Sequence, residues 1–439
     1  SFLEANLENT NSFDEIEARL NQFRKENQIR EDDWIVGNGY DHNVLKEKTH
    51  PTKNFLDQAF PNQKILIKHI SGHFGVLNTK ALEELGIMND KNGYLEENEF
   101  VKEIRKIPMP SIEKYLASYR KALAIYASYG ITTIQEGMML KEMVPLYQEL
   151  IKSHMLNLDV VGYPSIQDGD DIYNVLSEYQ DDYKDNFRLG GYKIILDGSP
   201  QGRTAWMLTP YQDSEEYCGY GSMTDEEVYQ AILKATIEHR QILAHCNGDR
   251  AAKQYIDMLY QVNKMSPNKV DRPVMIHAQL LNVNQIEDLK KLGIIPSFFV
   301  AHCFHWGDIH IKNFGFERAQ KISPVKECID KNIIYTFHQD TPVIKPNMLE
   351  TIWCAVTRIT KSGIVLGEDE KISVYDALKG VTINAAIQYG EEKRKGSIEI
   401  GKLANFVIIN ADILNIDVNQ IRNIEILETI HKGKTIYKK

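Results

Sequence analysis

Four short apolar segments of this chain end on side chains that can hold a metal ion. They span 191–198, 241–249, 273–279 and 333–342, and the residues concerned are Lys193, His245, His277 and Asp340. If these segments are buried parallel strands, their carboxyl ends converge on one face, where the active site of a β/α barrel forms. His245 and His277 are 32 residues apart, close to one β/α unit, and each closes an apolar run. Neutral imidazole is a common zinc ligand, and two from neighbouring strands can meet at one ion. Asp340 precedes Thr341-Pro342, and a carboxylate there can bind metal and accept the proton of an attacking metal-bound water. Lys193 is the odd member, because an ammonium cannot ligate. It does so only when deprotonated or converted to a carbamate, which makes it a bridging carboxylate. Plainer readings stand beside these: a hydrogen-bonded structural histidine, an aspartate that only forms a turn, a Lys193–Asp197 salt bridge. The common placement of all four residues in separate β/α units favours the metal reading.

A second constellation occupies 294–310, with His302, His305 and His310 among aromatic residues. This spacing matches no standard zinc signature. A substrate-facing loop is expected instead, with His302 as a polar contact and Trp306 as a wall. The segment 197–205 carries neither the GxGxxG nor the P-loop spacing, so it reads as a tight loop rather than a phosphate cradle. Its Arg203 suits a substrate carboxylate or a structural ion pair equally well. Cys246 follows His245, but neighbours on a strand point to opposite faces, so a buried structural thiol is expected rather than a nucleophile.

The elements that must position these groups follow from periodicity. Phe13, Ile16, Leu20 and Phe23 have helical spacing, and the segment 34–41 reads as a short strand entering a Gly-rich loop. From residue 64 strand and helix alternate, with strands expected at 64–69, 131–135, 158–163, 192–196, 242–245, 274–277, 294–299 and 333–337. Thr224 and Glu227 form a capping box ahead of Val228, Ala231, Ile232 and Ala235. Ile286, Leu289 and Leu292 line another helix, which Gly293 stops. Such alternation with buried β runs predicts a parallel α/β sheet or barrel over 1–395. Residues 396–439 change to short β segments, a small β appendage.

Composition narrows the function classes. With 439 residues, 43% hydrophobic and 26% charged, the chain has the profile of a soluble globular protein. A net charge of -10 without a basic cluster argues against nucleic acid and anionic membranes as partners. No stretch approaches the ~20 apolar residues of a membrane span, and no signal-peptide core opens the chain. It begins with Ser1 rather than Met, as a processed or partial chain would. The five cysteines are scattered without a CxxC pair, so reduced thiols in the cytoplasm are expected.

Taken together, the segments 34–41, 71–82, 130–134, 193–205, 245–250, 277–279, 297–308, 338–342 and 396–404 resemble the amidohydrolase superfamily. The closest likeness is to its amidohydrolase-3 branch of YtcJ-like proteins and N-substituted formamide deformylases. The resemblance implies a distorted (β/α)8 TIM barrel with a small β-sandwich built from both chain ends. It implies a divalent metal centre of one or two ions, zinc first, in which Lys193 is a carboxylated bridging ligand. His245 and His277 would be imidazole ligands, and Asp340 ligand and catalytic proton shuttle. His73, Arg203, His302 and Trp306 would contact a small-molecule substrate. The implied reaction is attack of metal-activated hydroxide on a linear amide or formamide carbonyl. Hydrolysis of a cyclic amide or ester-like bond is the alternative on the same fold. The family opens with a strand bearing a His-x-His pair, and this sequence has none. The expectation is that ~70–100 residues, carrying the first barrel strand and half the sandwich, are missing. Were those ligands truly absent, a non-catalytic binding protein would be the reading. A homodimer is the default assembly.

Overall fold

The computed structural model describes residues 3–70, 74–88, 91–104, 106–108, 111–180 and 182–439. The chain divides into two compact units, Ser1–Ala122 and Leu123–Lys439.

The first unit is built on a five-stranded mixed sheet. Its strands are β1 (Ala5–Asn6), β2 (Trp34–Tyr40), β3 (Lys64–His69), β4 (Phe74–Leu77) and β5 (Tyr94–Glu96), paired in that order. The first three are parallel, and β4 runs antiparallel to both β3 and β5. Side-chain alternation along a strand explains the layering. Ile35, Ile65 and Ile67 pack with Ile16, Leu20 and Leu56 from the helices Phe13–Glu26 and Lys53–Ala59. Leu66, on the opposite face, packs with Ala81, Leu82 and Phe100. Residues 64–69 thus form a strand as expected, but one that pairs with β2 and β4 of this sheet.

In the second unit the strands are β6 (Thr133–Met139), β7 (Asp159–Pro164), β8 (Phe187–Leu189), β9 (Gly191–Ile195), β10 (Gln241–Cys246), β11 (Val274–His277), β12 (Ile295–Phe298) and β13 (Thr336–Phe337). β6, β7 and β8 are parallel neighbours, and β9 to β13 form a second parallel run. A parallel bridge from Ser165 to Lys193 joins the two runs. Only Gly190 separates β8 from β9, and close packing at Gly190 and Gly191 leaves no room for a side chain. A Cβ on Gly190 would sit 2.5 Å from the Tyr163 ring, and one on Gly191 only 2.1 Å from the Gln241 carbonyl oxygen. Helices alternate with these strands, including Asp225–Ile237, Asp249–Met265 and Val283–Leu292. The result is a TIM-barrel-like α/β arrangement of parallel strands.

The expected capping box at Thr224 and the left-handed stop at Gly293 are both present. The expected strand 333–337 shortens to Thr336–Phe337, because Ile333 N–H still bonds the Cys328 carbonyl at the exit of the helix Val325–Asp330. The last residues add an antiparallel sheet of β14 (Phe406–Ile409), β15 (Ile426–His431) and β16 (Lys434–Lys438). No helix among the described residues is long and apolar enough to cross a membrane.

Candidate metal centre

Lys193 lies within β9, while His245 and His277 lie at or beside the carboxyl ends of β10 and β11. Asp340 follows β13 by three residues. Parallel register carries them to one region: His245 pairs with Ile195, and His277 with both Cys246 and Phe298. The His245 and His277 rings lie 4.4 Å apart, centroid to centroid, edge to face. Two backbone turns complete the placement. His277 (φ 74°) and Asp340 (φ 53°) adopt left-handed conformations, uncommon for residues with a side chain and concentrated at functional sites.

Electrostatics tie the group together. Lys193 is buried, and burial holds its amine down to about 8, opposed by the negative charge of nearby Asp340. Burial thus raises the share of the neutral amine above that of an exposed lysine, and the neutral amine is the form that ligates or takes up CO2. His277 is driven well below its ordinary range by burial and by His245, His338 and Lys193 around it. Asp197 does not pair with Lys193. It is fully engaged elsewhere, accepting hydrogen bonds from the backbone of Trp206, Asn247 and Gly248 at 3.0, 2.9 and 2.7 Å. Its Oδ1 also meets His245 Nδ1 at 3.2 Å. That contact orients the imidazole, a common device for metal-bound histidine, with Nε2 as the second ring nitrogen, 3.4 Å from Asn247 Nδ2.

The residues present fit a divalent ion of the zinc type. The set offers two imidazoles, a carboxylate and a lysine whose charged form burial disfavours. Beside it the Asn247 Oδ1 is buried without a hydrogen-bond partner. Cys246 is buried and its thiol is pushed far up, so it is not a nucleophile.

The substrate-side expectations fare differently. The segment around His302 is a helix, His302–Phe314, rather than a loop. His302, Trp306 and His310 recur at helical spacing, a signal visible in the sequence. His302 is buried, its Nδ1 3.1 Å from His310 Nε2, and Trp306 lies 4.5 Å from its ring. Phe299 bridges this helix to the ligand group, with ring centroids 4.5 Å from His302 and 6.4 Å from His277. Arg203 donates to the Gln212 carbonyl at 2.9 Å and lies over the Tyr211 ring at 5.2 Å, with no ion pair among the described contacts. His73 lies outside the described residues.

His338 joins the group without having been singled out by sequence. Its Nε2 is 3.1 Å from His277 Nδ1, and Ser297 Oγ holds its Nδ1 at 3.0 Å. The signal was its position directly after the β13 strand, two residues before Asp340.

Two expected results arise here. Asp197→Asn, acting through His245, is a positioning change and should weaken metal binding by ~10–100-fold. Chelator competition reads this, and unchanged affinity would remove Asp197 from the site. His310 is pushed by burial down to about 3. The unfolded chain takes up this proton near pH ~6.5. The native state is therefore favoured above that pH and loses stability as pH falls from 6.5 toward 3. His310→Gln should narrow the difference in urea midpoint between pH ~7 and ~5, and a difference as large as wild type would refute the assignment.

Against known proteins, the sequence model of the amidohydrolase family matches residues 1–437. YtcJ of Bacillus subtilis is 26% identical over 445 aligned positions, covering 94% of this chain and 82% of that protein. The N-substituted formamide deformylase of Arthrobacter pascens is 22% identical, covering 92% of this chain and 79% of its own. Among solved structures, an uncharacterised metal-dependent hydrolase from Pyrococcus horikoshii superimposes with a TM-score of 0.82 at 22% identity, over 95% of this chain and 83% of that one. Its counterpart from Pyrococcus furiosus gives 0.79 at 21%, over 94% and 84%. These two likenesses concern the fold.

Proposed function

The chain belongs to the amidohydrolase family, and from that premise we propose a metal-dependent hydrolase of a linear, non-peptide carbon–nitrogen bond in an amide or N-substituted formamide. The observation that carries this reading is the gathering of Lys193, His245, His277 and Asp340 along neighbouring parallel strands. The formamide class is supported by the relative named for that activity. We read the parallel arc from β6 to β13 as part of a distorted (β/α)8 barrel. The strands from 396 onward then belong to the sandwich.

Lys193, His245, His277 and Asp340 would hold a divalent cation, zinc first, which supplies Lewis-acid polarisation of the scissile carbonyl and acidification of water. Lys193 contributes as a carbamate: its neutral amine adds CO2, losing one proton and gaining a carboxylate. Asp340, exposed at the strand mouth, accepts the proton of the attacking water and returns it to the departing nitrogen. Asp197 keeps His245 in orientation. Phe299 and Trp306 exclude water from one side, and His302 offers the substrate a polar contact. The free cysteines favour a reducing compartment, the cytoplasm.

Metal content per chain, measured alongside hydrolysis of N-substituted formamides, linear amides and cyclic amides, tests the proposal. Stoichiometric metal with turnover of the linear substrates is expected. A metal-replete preparation that retains no ion refutes the hydrolase, and turnover of cyclic amides alone refutes the bond assignment.

A further inference from the structure

The first unit contains a grouping that the proposed reaction does not use. β2 and β3 are adjacent parallel strands, and Tyr40 is paired with His69 at their carboxyl ends. Ligand sites of open α/β sheets form outside such ends. The register shifts between Asn38 and Tyr40, so Gly39 is an extra residue in β2, held at φ 102°. Its own Cβ would lie 2.8 Å from the Glu8 side chain, so the position requires glycine. Bulges of this kind bend a strand and re-aim the residues that follow, here Asp41 and His42.

Three ligand atoms converge there. His42 Nδ1 is 3.2 Å from His69 Nε2, His69 Nε2 is 3.7 Å from Asp41 Oδ1, and Asp41 Oδ1 is 4.0 Å from His42 Nδ1. A point equidistant from all three lies about 2.1 Å from each, the length of a Zn–N or Zn–O bond. The imidazoles are held in place by stacked rings: His50 on His42 at 4.0 Å and Phe74 on His69 at 4.1 Å. His50 is itself fixed by a 3.0 Å contact from its Nδ1 to the Tyr40 hydroxyl.

We infer that Asp41, His42 and His69 bind a second divalent transition-metal ion, in addition to that of the Lys193 group. Two imidazole nitrogens and one carboxylate oxygen select an ion of zinc, cobalt or nickel type over Ca²⁺ or Mg²⁺, which prefer all-oxygen shells. Three protein ligands leave a position for water or for a ligand. No residue of the Lys193 group takes part, so either site can be lost without the other.

The test uses Co²⁺ as the probe, titrated into the chelator-stripped full chain carrying His245→Ala and His277→Ala. One Co²⁺ per chain is expected, with the visible absorption of imidazole-coordinated cobalt. Adding His42→Ala should weaken that binding by at least ~100-fold. Absence of saturable binding in the first variant, or unchanged affinity after His42→Ala, overturns the inference. If the doubly substituted chain does not fold, the comparison is wild type against His42→Ala alone. Loss of one ion per chain with unchanged circular dichroism supports the site, and equal stoichiometry overturns it. Failure of the Lys193 reading would appear instead as an unchanged ion count between wild type and the His245→Ala, His277→Ala chain.

Discussion

Replacing Lys193 by Met is expected to remove the metal of the barrel site and lower hydrolysis by at least ~10³-fold, the several kcal/mol of stabilisation that such an ion supplies. Met keeps the length and apolar stem of lysine but carries no nitrogen to become a carbamate, so the buried position stays filled. The substitution also removes a buried amine rather than stranding one, because the lysine's opposing partner, Asp340, is exposed. The fold should therefore survive, read as an unchanged thermal midpoint of the metal-free protein. Lys193→Glu places a permanent carboxylate on a side chain of similar reach, and part of the lost metal should return. Metal analysis and initial rates on N-substituted formamides check both variants. Full metal content in Lys193→Met would show that the lysine is not a ligand.

Asp340→Asn is the second large effect. Asparagine tolerates the left-handed backbone of this position as well as aspartate does, so φ 53° is kept while the charge and the proton-accepting oxygen are lost. With the general base and one metal ligand removed together, kcat at saturating metal should fall by ~10²–10⁴-fold with KM little changed. The same charge raises Lys193, so the amine of the variant should titrate lower than in the wild type. A kcat within ~10-fold of wild type would show that another group moves the proton. A raised KM with kcat unchanged would place Asp340 in binding alone.

Much of this arrangement was legible in the chain. β3 and β11 appear with the expected bounds, and the strands carrying Lys193 and His245 within one residue at each end. Their runs are apolar on both faces, as strands buried on both sides must be. The capping box at Thr224 is a local contact between residues three apart, and it forms as written. The helix at His302 was the opposite case. Its apolar and aromatic density suggested a loop wall, yet His302, Trp306 and His310 recur at i, i+4, i+8 on a helix that buries His302 and His310 and half-buries Trp306. Asp197 looked like a partner for Lys193 on separation alone, but the chain returns Asn247 and Gly248 to its carboxylate.

The sequence by itself determined which side chains of the Lys193 group are of a metal-ligating type and on which β/α units they ride. Residue type and strand–helix spacing are properties of short stretches, and they survive without knowledge of what packs where. Only the tertiary structure decided the partners: His338 against His277, Asp197 behind His245, and Asp41 with His42 drawn to His69 by a bulge at Gly39. Those contacts join residues up to 61 positions apart. Register, backbone sign of φ and burial set them together, and none of the three is written in the pattern of any single segment.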